Sequence, residues 1–223
     1  MTERPRPRWP YLGRSIDYAE AVAIQERGQR RVIERWSGPP PDTVAGIDIA
    51  VGGGEARAAV VVHALPSLEE TERSIAVRPL DWPYIPGLLA FREVPAIVAA
   101  FEGLRSRPDL ALVDGHGRAH PRRYGVACML GVELDLPTIG VGKSRLVGEH
   151  REPAHRRGSR VQLRHADEVI GVVLRTRDGV RPVFVSVGHR IDLDNAVRLV
   201  LRCAPRFRLP EPIRAADRAA GCR

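Results

Sequence analysis

The sequence predicts an α/β chain built on one mixed sheet with helices on both faces. Three strand-like runs come early, at about 43–51, 56–65 and 69–79, with Gly52-Gly53-Gly54 as the first turn. That order suits an antiparallel meander. Helical and strand patterns then alternate to the end of the chain, which places helices against a sheet. Leu110-Ala111-Leu112-Val113 is apolar at every position, as expected of a central strand covered on both faces.

Residues 1–16 read as a basic, proline-rich arm, and residues 17–223 as one folded unit. From Asp17 to Trp36 a helix is expected. Asp17 with Glu20 resembles a capping box, and Tyr18, Val22, Gln29, Val32, Ile33 and Trp36 recur near helical spacing. Ser37-Gly38-Pro39-Pro40-Pro41 breaks it. After the three strands, a proline-rich stretch runs from Trp82 to Gly87. A helix is expected from about Val94 to Leu104, with Pro95 in its first turn. Beyond the apolar strand, a glycine-rich loop leads to a helix from Arg122 to Val132. Pro137 to Val141 is the fifth strand, and residues 148–160 form a polar, basic loop. Strands near 161–164, 168–175 and 182–187, then helices near 192–203 and 211–220, complete the chain. No internal repeat and no linker of domain size interrupts it.

The chain has 223 residues and is 43% hydrophobic, enough for a core without metal or disulfide staples. Its formal charge is +8 and its pI about 10.3. An excess of that size favours an anionic partner, nucleic acid first, because each neutralised phosphate releases counterions. No apolar run reaches the length of a membrane span, and no secretory signal is read at the start. Three cysteines without a C-x-x-C spacing exclude a disulfide framework and a zinc site. A reducing, cytoplasmic location and a monomer are expected.

Asp48 falls inside the first strand, where aspartate is depleted. A buried carboxylate needs a partner, hydrogen bonds or a metal. Asp114 ends the apolar strand, at the kind of carboxyl end where open α/β sheets gather ligands. Glu93, in Phe91-Arg92-Glu93, is a third acid. Together they would make an oxygen cage for a hard cation such as Mg²⁺, the type of site that aligns water and phosphate for in-line attack. Taken singly, Asp48 or Glu93 reads equally well as half of a salt bridge, and Asp114 as a turn-forming Asp-Gly. Spacing does not bring the three together.

Of the 35 Lys and Arg residues only Lys143 is lysine, in Thr138-Ile139-Gly140-Val141-Gly142-Lys143-Ser144. Lysine is a compact point charge and arginine a wide fork, so a narrow site beside phosphate would keep lysine. Gly142-Lys143-Ser144 ends like a P-loop, but Pro137 stands where that motif needs glycine, which excludes an NTPase. In Trp82-Pro83-Tyr84-Ile85-Pro86-Gly87 two prolines stiffen a tip that carries an aromatic and an aliphatic side chain. Such a tip can wedge a base step open; the alternative is a proline turn with its tyrosine tucked into the core. His116 and His120 are read as loop hydrogen-bond partners.

Five blocks now carry a resemblance. They are Pro83 to Glu93, Asp114 to Arg122 (DGHGRAHPR), Gly140 to Leu146, Ser186 to His189, and Arg206 to Pro212. In this order they resemble the endonuclease V family of deoxyinosine-specific repair nucleases, from about residue 17 to 218. The resemblance implies a ribonuclease H-like fold whose first and fourth strands are neighbours, bringing Asp48 and Asp114 together. It implies Asp48, Asp114 and Glu93 as metal site, Lys143 near the scissile phosphate, and His189 beside a metal or the attacking water. Pro83, Tyr84, Ile85 and Pro86 would form the wedge. Gly87, Leu89, Gly115, His120 and Gly125 would line the hypoxanthine pocket.

His116 stands where the family usually carries an amide residue, and Gly142 where it usually carries alanine. The activity implied is Mg²⁺-dependent, with Mn²⁺ able to substitute: hydrolysis of the second phosphodiester 3′ to deoxyinosine in DNA, leaving 3′-hydroxyl and 5′-phosphate. The alternatives are an endoribonuclease acting on inosine-containing RNA, and a non-catalytic binder of damaged nucleic acid.

Overall fold

The computed structural model describes Tyr11 and residues 16–221. Most of the expected N-terminal arm lies outside the described residues. The elements are α1 (Tyr18–Gln29), β1 (Thr43–Gly52), β2 (Glu55–Ala64), β3 (Glu70–Pro79), α2 (Leu89–Glu102), β4 (Ala111–Val113), α3 (Val126–Leu134), β5 (Thr138–Gly142), β6 (Arg160–His165), β7 (Glu168–Leu174), β8 (Val183–His189), α4 (Leu193–Cys203) and α5 (Glu211–Gly221).

The eight strands form one sheet in the order β3-β2-β1-β4-β5-β8-β7-β6. β1, β2 and β3 pair antiparallel as the meander required. β4 runs parallel to β1 on one side and to β5 on the other. This is the expected ribonuclease H-like arrangement, with the first and fourth strands adjacent. The three residues of β4 are buried, as an apolar central strand demands. α1, α2 and α3 cover one face, with Ala45, Ile47, Val60, Phe91, Ile97 and Met129 in the largest core cluster. α4 and α5 cover the other, where Leu112, Val141, Val185, Val197 and Ile213 pack. No helix among the described residues is long and apolar enough to cross a membrane.

Three helices begin or end elsewhere than expected. α1 stops at Gln29, not at Trp36, because the Ile33 N–H that would continue it donates to His189 Nδ1 at 3.2 Å. α2 starts at Leu89, so Pro95 sits inside it and not in its first turn. The turn before it explains the early start. Leu88 N–H donates to Ile85 O, with Pro86 and Gly87 at the corners and Gly87 at φ +79°. α3 starts at Val126, not Arg122, because Arg122 N–H donates to His120 Nδ1 and Arg123 N–H to His120 O.

Candidate active site

The middle of β1 and the carboxyl ends of β4 and β5 converge on one cluster. The β1–β4 ladder ends at Ile47 opposite Val113. The chain then adds one more rung, Asp114 N–H to Ile47 O at 3.0 Å, which sets Asp114 level with Asp48. The two carboxyls lie within hydrogen-bonding reach. Burial, and then the charge of Asp114, push Asp48 up to about 8. α2 brings Glu93 in from the opposite face, where burial and then Asp114 raise it to about 7.

Lys143 is the first residue past β5. Its Nζ sits 2.5 Å from Asp114 Oδ2 and 3.6 Å from Asp217 Oδ1 on α5. Partial burial works against its charge. The hydrogen bond and charge of Asp114, with Asp48 and Asp217, outweigh that and raise it above an ordinary lysine. Three carboxyls, Asp114, Asp217 and Asp48, thus act on one ammonium. Among the described residues, no three His, Cys, Asp or Glu side chains stand close enough to hold a metal ion as they are placed. Lys143 occupies the position beside Asp114 instead.

Two members of this site were given no role from the sequence. Asp217 lies in an ordinary amphipathic helix and belongs to no local motif; only the packing of α5 on β1 carries it to Lys143. Arg208 holds Lys143 from behind: Nη2 donates to Lys143 O at 2.5 Å and to Pro182 O, and Nε donates to Arg181 O.

His189 is not part of the cluster, contrary to expectation. It closes β8 and pairs with Thr138, the first residue of β5, whereas Lys143 follows the last. The two ends are five residues apart, roughly 16 Å along a strand. There the His189 ring accepts from Ile33 N–H and faces Asp135 at 3.7 Å.

Beside the acidic cluster lies a cavity of about 220 Å³. Tyr84, Ile85, Pro86, Gly87, Leu89, Gly115, His120 and Gly125 all line it, as does His116; Pro83 does not. Gly115 and Ser144 belong to the same loops that present Asp114 and Lys143, so cavity and cluster share a wall. Gly125 is needed where it stands, since a Cβ there would come 2.3 Å from His116 O. The Gly87 carbonyl accepts three hydrogen bonds, from Gln25 Nε2 (2.9 Å), His120 Nε2 (3.0 Å) and Arg122 Nη2 (2.8 Å). Since His120 Nδ1 accepts from Arg122 N–H, Nε2 carries the proton. Burial and then Arg122 lower His120 to about 4 and keep the ring neutral. Gln25, buried on α1, is a third residue that sequence reading missed; a buried polar residue on a helix is its one signal.

This network holds the Tyr84 turn rigid. Trp82 stacks on Phe91 with ring centres 5.4 Å apart, while Tyr84 remains 67% exposed. The structure therefore puts Tyr84 outside the core.

The endonuclease V family profile matches residues 26–218. Endonuclease V of Roseiflexus castenholzii is 51% identical over 212 residues, covering 95% of this chain and 93% of its own. That of Trichormus variabilis is 48% identical over 223 residues, covering 99% and 98%. Among solved structures, endonuclease V from Streptomyces avermitilis superposes with a TM-score of 0.90 at 43% identity, covering 96% of this chain and 95% of that one. Ciona intestinalis endonuclease V, crystallised with a 23mer DNA containing an inosine followed by a ribo-adenosine, gives 0.79 at 26% identity, covering 91% and 94%. A match that runs nearly end to end in sequence and in fold makes this chain a member of the endonuclease V family, and so a metal-dependent nuclease that hydrolyses DNA.

Proposed function

We propose that this protein is a Mg²⁺-dependent repair endonuclease that flips deoxyinosine out of duplex DNA. It hydrolyses the second phosphodiester on the 3′ side, leaving 3′-hydroxyl and 5′-phosphate. Residues 17–223 form the catalytic unit and residues 1–16 an appended arm. The observation that carries the reading is the shared wall between the acidic cluster and the cavity. A base held in one puts its neighbouring phosphates at the other.

The donor set fits a hard divalent cation. The ligands are carboxylate oxygens, and burial and then the charge of Asp114 oppose ionisation of Asp48 until further positive charge arrives. Asp48 and Asp114 would hold the cation, with Glu93 and Asp217 at hand, and it would supply a more acidic water and neutralise charge on phosphate. Mn²⁺, with the same oxygen preference, would substitute.

The chain's own residues do the rest. Lys143 exchanges its contact with Asp114 for a non-bridging phosphate oxygen, its backbone held in place by Arg208. Tyr84, on a stiff turn, fills the gap that an extruded base leaves. The backbone around Gly87 and Gly115 presents N–H groups to the O6 and N7 edge of hypoxanthine. The Gly125 floor leaves little room for an extra amino group.

The test is an end-labelled duplex with one deoxyinosine, incubated with Mg²⁺ or with EDTA, beside a strand with one ribo-inosine. Metal-dependent nicking at the second phosphodiester 3′ to deoxyinosine is the expected outcome. Faster cutting of the ribo strand would transfer the reading to inosine-containing RNA. Binding without nicking under any metal would leave a binder of damaged nucleic acid.

A further inference from the structure

A cation outside the described cluster lies close to it with nothing to bind. On β1, Gly46, Asp48 and Ala50 point to the α5 face: Gly46 backs on Pro212, and Ala50 packs against the cluster of Ala59, Ala219 and Ala220. Arg57 of β2 is the ladder partner of Ala50, so its side chain leaves the sheet on that face. It stands two residues along from the level of Asp48, about 7 Å. In strand order Arg57, Asp48, Asp114 and Lys143 belong to or directly follow β2, β1, β4 and β5. The carboxyl pair is flanked by two cations.

The two cations differ in one respect. Lys143 is engaged by Asp114 and Asp217. Arg57 makes no hydrogen bond or ion pair among the described residues, and its Nε is fully enclosed without a partner. Leaving a guanidinium N–H buried and unpaired is costly, so the group is held ready for an acceptor that arrives with a ligand. Beside it is a hollow of about 280 Å³, floored by Ala50, Gly52, Gly53 and Ala220, with Val77 on one wall and exposed Glu55 at the rim. Small floor residues leave space for a tetrahedral anion. With Nε enclosed, the guanidinium meets a phosphate in that hollow through its Nη donors, and its planar charge suits phosphate oxygens.

Resting on the nuclease reading, we infer that Arg57 and this hollow bind a second backbone phosphate of the substrate strand, beyond the scissile one on the β2 side. The contact acts on affinity and register and is indifferent to the base.

The experiment measures binding of inosine-containing and undamaged duplex, in EDTA, across a salt series, for wild type, Arg57→Ala and Arg57→Lys. Arg57→Ala is expected to bind both duplexes about tenfold more weakly and to lower the slope of log K against log salt by about 0.9, one phosphate's worth. Arg57→Lys should recover the slope but only part of the affinity, since it keeps the charge and loses the fork. A scan with single uncharged methylphosphonates then locates the contact. At one position the wild type loses affinity and Arg57→Ala loses none. An unchanged slope in Arg57→Ala, or equal losses in both proteins at every position, would overturn the proposal. If inosine preference is absent but the slope still falls on both duplexes, the lesion reading fails and this contact stands.

Discussion

The two ends of β5 carry similar residues and opposite charge balances. Past its last residue, Lys143 meets Asp114 and Asp217, with Asp48 and Glu93 adjacent. Opposite its first residue, His189 and Arg190 share the single carboxylate Asp135, Arg190 as an ion pair at 2.7 Å that is not aligned as a hydrogen bond. At the first end acids outnumber bases, and two carboxyls are raised far above their ordinary range. At the second, the cations have their anion and the imidazole is tied to backbone. A balanced set of charges holds structure; an unbalanced one waits for a cation and a phosphate. The comparison separates these roles better than residue type does, since a histidine is as good a nuclease candidate as a lysine.

The same change made at both ends gives the largest contrast. Asp114→Asn should reduce cleavage of deoxyinosine duplex by about 10³-fold or more while binding persists. Asp135→Asn should leave cleavage within about twofold, the usual range of an exposed ion pair. Single-turnover rates measure both. Comparable losses would erase the distinction between the two ends.

Lys143→Arg comes next. It keeps the charge but replaces a point by a fork between Asp114 and Asp217, and a mis-seated charged contact costs about tenfold. Full activity in that variant would mean the lone lysine of the chain is incidental.

How far the sequence reached follows the same division. The sheet and its meander were legible because strand patterns are local. Lys143, Asp48 and Asp114 were legible because each broke a local rule: one lysine among arginines, an aspartate within a strand, an acid at the end of an apolar run. Asp217 and Arg208 broke no rule. An aspartate on a helix and an arginine in a loop are ordinary, and only the docking of α5 and the 204–210 loop gives them a role. His189 was misplaced because a motif in family order says nothing about which end of a strand it occupies. The antiparallel β5–β8 pairing decides that.

His189→Ala gives a smaller effect, on stability alone. It leaves the Ile33 N–H without its partner, and an unsatisfied part-buried donor costs about 1–3 kcal/mol. Thermal melting should fall while the single-turnover rate stays within about twofold. A rate loss without a melting loss would return His189 to the reaction.

The dependence of metal-free stability on pH sets the two ends against each other, because they should act with opposite signs. Asp48 at about 8 and Glu93 at about 7 lie above their ordinary values of 3.8 and 4.5. Between those limits the folded protein holds more protons than the unfolded chain, so these groups take stability away as pH rises from about 4 to about 8. His189 is lowered, by burial and then by Arg190. Below its ordinary value of 6.5 the unfolded chain binds the proton more readily, so that end loses stability as pH falls. His120, lowered to about 4, acts in the same direction. In EDTA, Asp48→Asn should therefore flatten the alkaline limb of a melting curve against pH and leave the acid limb alone. His189→Ala should flatten part of the acid limb and leave the alkaline one. Saturating Mg²⁺ should do for the wild type what Asp48→Asn does without metal, because a bound dication lets the carboxyls ionise at no cost to the fold. An alkaline limb unchanged by either Asp48→Asn or Mg²⁺ would show that Asp48 and Asp114 do not share a site.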